Sequence, residues 1–261
     1  MENINFYDAI LILSVLLFGI FFYTFFLFLS KKKNSSFLID SQFNKPQAFH
    51  KAPTSVVGGI GIFFSLIIVH YYFFAFKDIL FFKYLSFSIL FFLLGFVDDL
   101  KINLNPKIRL SLMVIFLIIL IINNNFYITK TGIEILNSWI GNSDLFSLIF
   151  VIISFLFVVN GANLIDGYNG LLGIHSIIIL INLLIINYIN GNTDLALFLL
   201  LNLLIIINFL LFNFPKGKVF LGDGGAYLLG VIIGVSVIKT SIDNPLISPF
   251  YFCILLFYLF F

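Results

Sequence analysis

Charge is scarce in this chain of 261 residues: Asp, Glu, Lys and Arg make up 10% of it, against 61% hydrophobic and 19% aromatic residues. With a mean hydropathy of +1.15, that balance excludes a water-soluble domain. Cysteine is scarcer still. The single Cys253 rules out an internal disulfide, and it lies in an apolar run, where it reads as a core or lipid-facing residue. No long repeat, soluble domain or linker stands out. The segment Ile10–Ser30 lacks the basic n-region and small-residue cleavage site of a signal peptide, so it reads as a retained span. A net charge of +2 points to no class of partner, and a nucleic acid is not expected. Heavy use of Phe, Ile, Leu, Asn and Lys is consistent with nucleotide bias, which weakens any single Asn or Phe as a signal.

Hydrocarbon is plentiful. Apolar runs of roughly 20 residues recur along the whole length, each long enough for one helical crossing. They are continuous rather than alternating, which favours helices over a barrel. The expected fold is all-α, a polytopic integral membrane protein in a single domain, with about nine transmembrane helices. The spans are placed at Ile10–Ser30, Val56–Phe76, Ile79–Val97, Ile108–Ile122, Leu145–Asn163, Leu171–Ile189, Leu195–Phe212, Leu221–Ile238 and Leu246–Phe261, the fourth starting nearer Leu104.

Cations orient the bundle. If the spans alternate, Lys31, Lys32, Lys33, Lys45, Lys51, Lys101, Lys107, Arg109, Lys216 and Lys218 share one side, and Lys77, Lys83, Lys130 and Lys239 the other. The excess marks the first side as cytoplasmic and puts the N-terminus outside. The segment Asn123–Asp144 is then the longest exterior stretch, and its Phe126–Trp139 part reads equally as a hairpin or an interfacial helix. Asp98, Asp99, Asp166 and Asp223 then fall on the cytoplasmic side as well, at helix ends.

Four polar stretches interrupt the hydrocarbon. Phe96–Leu100, F-V-D-D-L, sets two carboxylates side by side. Their repulsion is relieved by a nearby cation, and a hard ion such as Mg²⁺ takes oxygen ligands and phosphate. The same pair also reads as a solvated helix end bonded to Lys101 or Lys107. Asn163–Gly170, N-L-I-D-G-Y-N-G, places Asn163 and Asp166 on one face if the turn is helical. Its glycines allow a tight turn or close approach of a ligand; the plainer alternative is a capped interhelical turn. Phe220–Ala226, F-L-G-D-G-G-A, is a glycine-rich helix start suited to anions, with Asp223 either an N-cap or a metal ligand. His50–Ile60, H-K-A-P-T-S-V-V-G-G-I, brings Lys51 to the same side, as a phosphate contact or an interfacial anchor. His70 and His175 receive no role.

Taken in order, D-D, N-x-x-D-G-x-N-G and G-D-x-G-A resemble the polyprenyl-phosphate N-acetylhexosamine-1-phosphate transferases, the MraY/WecA-like superfamily (glycosyltransferase family 4), from about Phe37 onward. The resemblance implies transfer of a sugar 1-phosphate from a UDP-N-acetyl sugar to a polyprenyl phosphate such as undecaprenyl phosphate, with release of UMP and a need for Mg²⁺. It implies an inner (plasma) membrane location, a cytoplasmic site and a homodimer. Asp98 and Asp99 match the acidic pair, the first proposed to deprotonate or orient the lipid phosphate and the pair lying near the metal. Asp223 matches the Mg²⁺ ligand, with Asp99 beside it. Asn163 and Asp166 match the pair shaping the nucleotide-sugar site. Phe220 matches the aromatic under uracil, Asn213 an amide of that pocket, Lys51 a nearby cation, and Gly167, Tyr168 and Asn169 the turn around uracil. Asn169 replaces the Asp of peptidoglycan-type members, which looks like the surface-polysaccharide branch. Two features depart from the pattern. Ser55 and Val56 stand where Pro-Arg precedes the glycine pair. The chain also stops at Phe261, before the family's histidine-rich loop, so it reads as a C-terminally truncated member. An ion-coupled secondary transporter and a catalytically dead assembly partner are the rival readings. A transporter places its acids nearer the midplane and shows repeats.

Overall fold

The computed structural model describes residues 5–32, 38–40, 53–77, 79–102, 104–128 and 130–256. Ten helices dominate them: α1 (Phe6–Lys32), α2 (Gly58–Phe76), α3 (Ile79–Asp99), α4 (Pro106–Asn124), α5 (Glu134–Asn142), α6 (Asp144–Ile165), α7 (Leu171–Ile189), α8 (Thr193–Asn213), α9 (Gly222–Asp243) and α10 (Pro249–Leu256). Among the described residues, seven helices are long and apolar enough to cross a membrane. Helix α3, at 21 residues, matches them in length. The protein is an all-α multi-pass membrane protein. Of the ninth apolar run the described part is α10. The stretch left undecided between hairpin and helix, Phe126–Trp139, runs into a helix, α5, from Glu134 onward.

Helix ends fall slightly outside the apolar runs, because the capping residues are polar. Asn105 accepts the Lys107 amide at 3.0 Å, with Pro106 as the first residue of α4; proline suits that position because its missing N–H needs no partner. Asn125 closes the same helix in a left-handed conformation. Ser143 accepts the Phe146 amide at 3.2 Å and opens α6. Inside the spans, the amides of Asn160, Asn182 and Asn202 donate to carbonyls four residues back in their own helices. Each such bond occupies one of the amide's two N–H groups, a donor that hydrocarbon cannot satisfy.

Helix α9 is the axis of the bundle. It is buried on every side from Gly224 to Ile238, as expected of a helix that is apolar all round, and it packs against α2, α3, α6, α7 and α10. Glycines set its distances. A Cβ on Gly59 of α2 would lie 2.5 Å from the Gly225 nitrogen, and one on Gly95 of α3 would lie 2.5 Å from the Asp223 carbonyl oxygen. Further along, a Cβ on Gly230 would meet Val159 Cα of α6 at 2.8 Å, and one on Gly234 the Phe155 ring at 2.7 Å. Small residues at such crossings let backbones approach closely where no hydrophobic effect drives association.

A small antiparallel ladder joins β1 (Ile39–Asp40) to β2 (Thr54–Ser55), pairing Ile39 with Ser55 and Asp40 with Thr54. Ser55 also bridges Val219 in parallel. Two-residue strands carry no periodicity, so sequence patterning did not reveal them.

Replacing Gly59 by Ala forces α2 off α9 and is expected to destabilise the protein by about 1–3 kcal/mol, read as a lower unfolding midpoint in detergent. Gly141 in α5 has nothing within 4 Å of its built Cβ; Gly141→Ala is expected to hold or raise that midpoint, by about 0.4–1 kcal/mol.

Candidate functional site

At one end of the bundle α3 and α6 finish, and α2 and α9 begin. The segments entering α2 and α9 are stitched together through backbone. Phe220 donates to the Ser55 carbonyl at 2.8 Å, Gly58 to that of Phe220 at 2.9 Å, and Gly59 to that of Leu221 at 2.8 Å. Gly222 then turns with φ +79°, and a Cβ there would lie 2.7 Å from an Asp99 oxygen. Glycine is needed at that residue both for its left-handed backbone and for the carboxylate packed against it.

Asp99 ends α3 and accepts two amides of the first turn of α9. Its Oδ1 takes Asp223 N–H at 2.8 Å and its Oδ2 takes Gly224 N–H at 3.0 Å. It caps α9 from another helix, and its charge complements the positive end of the dipole. Each oxygen keeps a further lone pair for another partner. The neighbouring Asp98 pairs with Arg109 of α4. The partners expected for it, Lys101 and Lys107, are both exposed. Asp166, the residue closing α6, lies within Coulomb range of Asp223 and Asp99. Burial first, and then those two charges, push its carboxyl well above the usual carboxylate range, although part of its surface stays accessible.

The acids that the sequence motifs supply are therefore brought together from α3, α6 and α9, and the cation set among them is Arg109. Negative charge is in excess, a donor set that suits a hard divalent ion. Among the described residues no three His, Cys, Asp or Glu side chains close on one point. Such an ion would take one or two carboxylates and complete its shell with phosphate oxygens and water, as Mg²⁺ does.

The remaining predicted residues surround this cluster. Asn163 is in the last turn of α6, and its amide donates to the Tyr227 hydroxyl at 3.3 Å. Gly167 has open space at its Cβ position. Tyr168 is 58% exposed. Asn169 donates to the Pro215 carbonyl at 3.3 Å, linking the α6–α7 turn to the α8–α9 loop. Asn213, expected to line the pocket, is buried, and both ends of its amide are engaged by backbone. It accepts Gly170 N–H at 2.6 Å and donates to the Val219 carbonyl at 2.8 Å. Asn213 thus braces the α6–α7 turn against the α8–α9 loop. Phe220 is half-buried beside β2. Lys51 and His50 lie outside the described residues.

Sequence reasoning missed two members of the cluster. Arg109 had been counted only as a topological cation. It sits in the first turn of α4, where a positive charge opposes the helix dipole; that misplacement is the signal that it answers a nearby acid. Tyr227 lies one turn beyond Asp223 on α9, on the same face. Its ring centroid is 5.8 Å from the guanidinium carbon of Arg109.

Comparison with known proteins gives the family. The family model described as glycosyl transferase family 4 matches residues 81–241, more than half of the chain. Similar relatives include proteins named phospho-N-acetylmuramoyl-pentapeptide-transferase. The one from Dictyoglomus turgidum is 36% identical over 207 residues, covering 76% of this chain and 64% of the relative. The one from Streptococcus pneumoniae serotype 19F is 32% identical over 195 residues, covering 69% and 57%. The chain thus spans less than two thirds of the length of these relatives. The match of the family model runs from α3 to α9 and takes in the helices that carry the acidic cluster and Arg109, and on that ground the chain belongs to glycosyl transferase family 4.

Proposed function

We propose that this protein transfers an N-acetylhexosamine 1-phosphate from a UDP-sugar to a polyprenyl phosphate such as undecaprenyl phosphate, releasing UMP at the start of surface-polysaccharide or cell-wall glycan assembly. The observation that carries the reading is the meeting of Asp98, Asp99, Asp166 and Asp223 with Arg109 at one end of a membrane bundle. A lipid-tethered phosphate reaches the protein at the bilayer surface, and that is where helix ends lie. The loops and helix ends on this side carry Lys101, Lys107, Lys216 and Lys218, which supports a cytoplasmic site in the plasma membrane.

In this reading an oxygen of the lipid phosphate forms a bond to the sugar-bearing phosphorus while the bond from that phosphorus to the UMP oxygen breaks. Asp98 orients the acceptor phosphate or takes its proton, with Arg109 holding its carboxylate. Asp223 and Asp99 would hold Mg²⁺, which when bound neutralises charge on the diphosphate. Asn163 and Asp166 shape the sugar end of the pocket. Phe220, Lys51 and the Gly167–Asn169 turn take the uridine, and Asn213 keeps the two loops in place. Phosphoryl transfer depends on positioning and charge more than on covalent chemistry, which suits a site rich in acids and backbone amides. Asn169, standing where peptidoglycan-type members carry Asp, favours a donor of the surface-polysaccharide branch. The names of the relatives favour a second reading, an N-acetylmuramoyl-pentapeptide donor.

Membranes bearing the protein expressed from its complete reading frame are expected to release UMP when given undecaprenyl phosphate, Mg²⁺ and one of UDP-GlcNAc, UDP-GalNAc or UDP-N-acetylmuramoyl-pentapeptide. The donor that works decides between the two readings, and silence with all donors tried sinks both. Asp98→Asn, Asp99→Asn and Asp223→Asn are each expected to lower turnover about 100-fold or more; wild-type rates in these variants would refute the assigned roles. Chelation with EDTA is expected to stop UMP release and added Mg²⁺ to restore it. Activity that survives exhaustive chelation would remove the metal from the scheme.

A further inference from the structure

Tyr227 is fully buried where elements with separate motifs meet. Its hydroxyl accepts the amide of Asn163 from α6 at 3.3 Å. Its ring lies 5.8 Å from the guanidinium carbon of Arg109 from α4, within the range of cation–π attraction. Arg109 in turn holds Asp98 of α3. Tyr227 itself follows Asp223 by one turn of α9, on the same face. A single side chain thus reaches three elements of the site, one of them through the cation.

Its chemistry suits that place. Most of α9 between Ala226 and Ile238 is aliphatic or glycine, and an aliphatic residue would fill space between helices without the cost of burying a hydroxyl, which is unfavourable unless bonded. The hydroxyl is bonded, to Asn163. An aliphatic side chain would also leave Arg109 without the π-face that attracts a guanidinium. Ring and hydroxyl therefore have separable tasks.

We propose that Tyr227 is a positioning residue of the transfer site, its ring seating Arg109 against Asp98 and its hydroxyl fixing the direction of the Asn163 amide. The proposal rests on the transferase reading above for what those two partners do. Asn163 belongs to the sugar end of the pocket, so losing the hydroxyl acts on donor binding. Arg109 steadies the carboxylate that meets the acceptor, so losing the ring acts on turnover.

Two variants separate these tasks in membranes bearing the full chain. Tyr227→Phe keeps the ring and is expected to raise KM for the UDP-sugar about five-fold, more than it lowers kcat. Tyr227→Leu removes both groups and is expected to lower kcat about ten-fold further. Arg109→Lys keeps the charge but loses the planar fork, so its effect on kcat is expected to be smaller in the Tyr227→Leu background than in wild type. Tyr227→Phe with an unchanged KM, Tyr227→Leu no slower than Tyr227→Phe, or strictly additive effects would each overturn the proposal. The same cycles, with Asn163→Ala paired to Tyr227→Phe, are read in thermal unfolding of the solubilised protein, where non-additive midpoints support the two contacts and additive ones overturn them. That readout needs no turnover. An inert wild type would thus sink the transferase reading, while the unfolding cycles would still decide on Tyr227.

Discussion

The carboxylate of Asp99 capping α9 is the interaction on which the geometry of the site depends. Both of its oxygens accept amides from the first turn of α9, so the end of α3 and the start of α9 form one unit. A helix start at a membrane surface has unpaired N–H groups and a positive dipole end. Satisfying them with an acid from a neighbouring helix brings Asp98, Asp99 and Asp223 together. Gly222 and Gly95 make the approach possible, the first by its left-handed backbone and the second by offering no Cβ to the Asp223 carbonyl. The acid pair and the G-D-G-G motif are thus two halves of a single joint.

A second layer keeps the joint in register. The segments entering α2 and α9 share backbone hydrogen bonds through Ser55, Phe220 and Leu221. Asn213 pins the Gly170 amide and the Val219 carbonyl at the same time. The side chains of the acidic cluster are therefore carried on segments held by backbone ladders and by the Asn213 amide. The absence of Pro-Arg before the glycine pair bears on this layer, since Ser55, one of the two residues at those places, supplies a ladder partner. The cation found among the described acids arrives instead from α4.

How much of this is readable from sequence depends on how local the cause is. The seventh helix, Leu171–Ile189, has the bounds that its hydropathy predicts, because Gly170 and the Asn-Gly pair after Ile189 interrupt the apolar run at both ends. Helices α6 and α8 extend further than their apolar cores, since Ser143 and the polar ends Asp144 and Asn213 lie beyond the hydrocarbon that a hydropathy window detects. That Asp98, Asp99, Asp166 and Asp223 share one end was legible from the alternation of spans alone. The partner of Asp98 was not, because choosing Arg109 over Lys101 or Lys107 requires the rotational setting of α4 against α3 and α9. The bracing role of Asn213 is equally non-local: its partners lie in two loops that only the folded bundle places side by side.

Consider last the asparagines that donate back to their own helices, Asn160, Asn182 and Asn202. An N–H bonded within its own segment needs no acceptor from a neighbour, although the Asn182 oxygen also accepts the Tyr251 hydroxyl of α10 at 2.9 Å. Recognition between segments at α9 combines a few polar contacts, such as the Asn187 amide of α7 donating to the Thr240 hydroxyl at 2.8 Å, with shape, the notches at Gly59, Gly95, Gly230 and Gly234. Drift toward an asparagine-rich composition leaves that steric code untouched, whereas a single methyl group in a notch misaligns the partners.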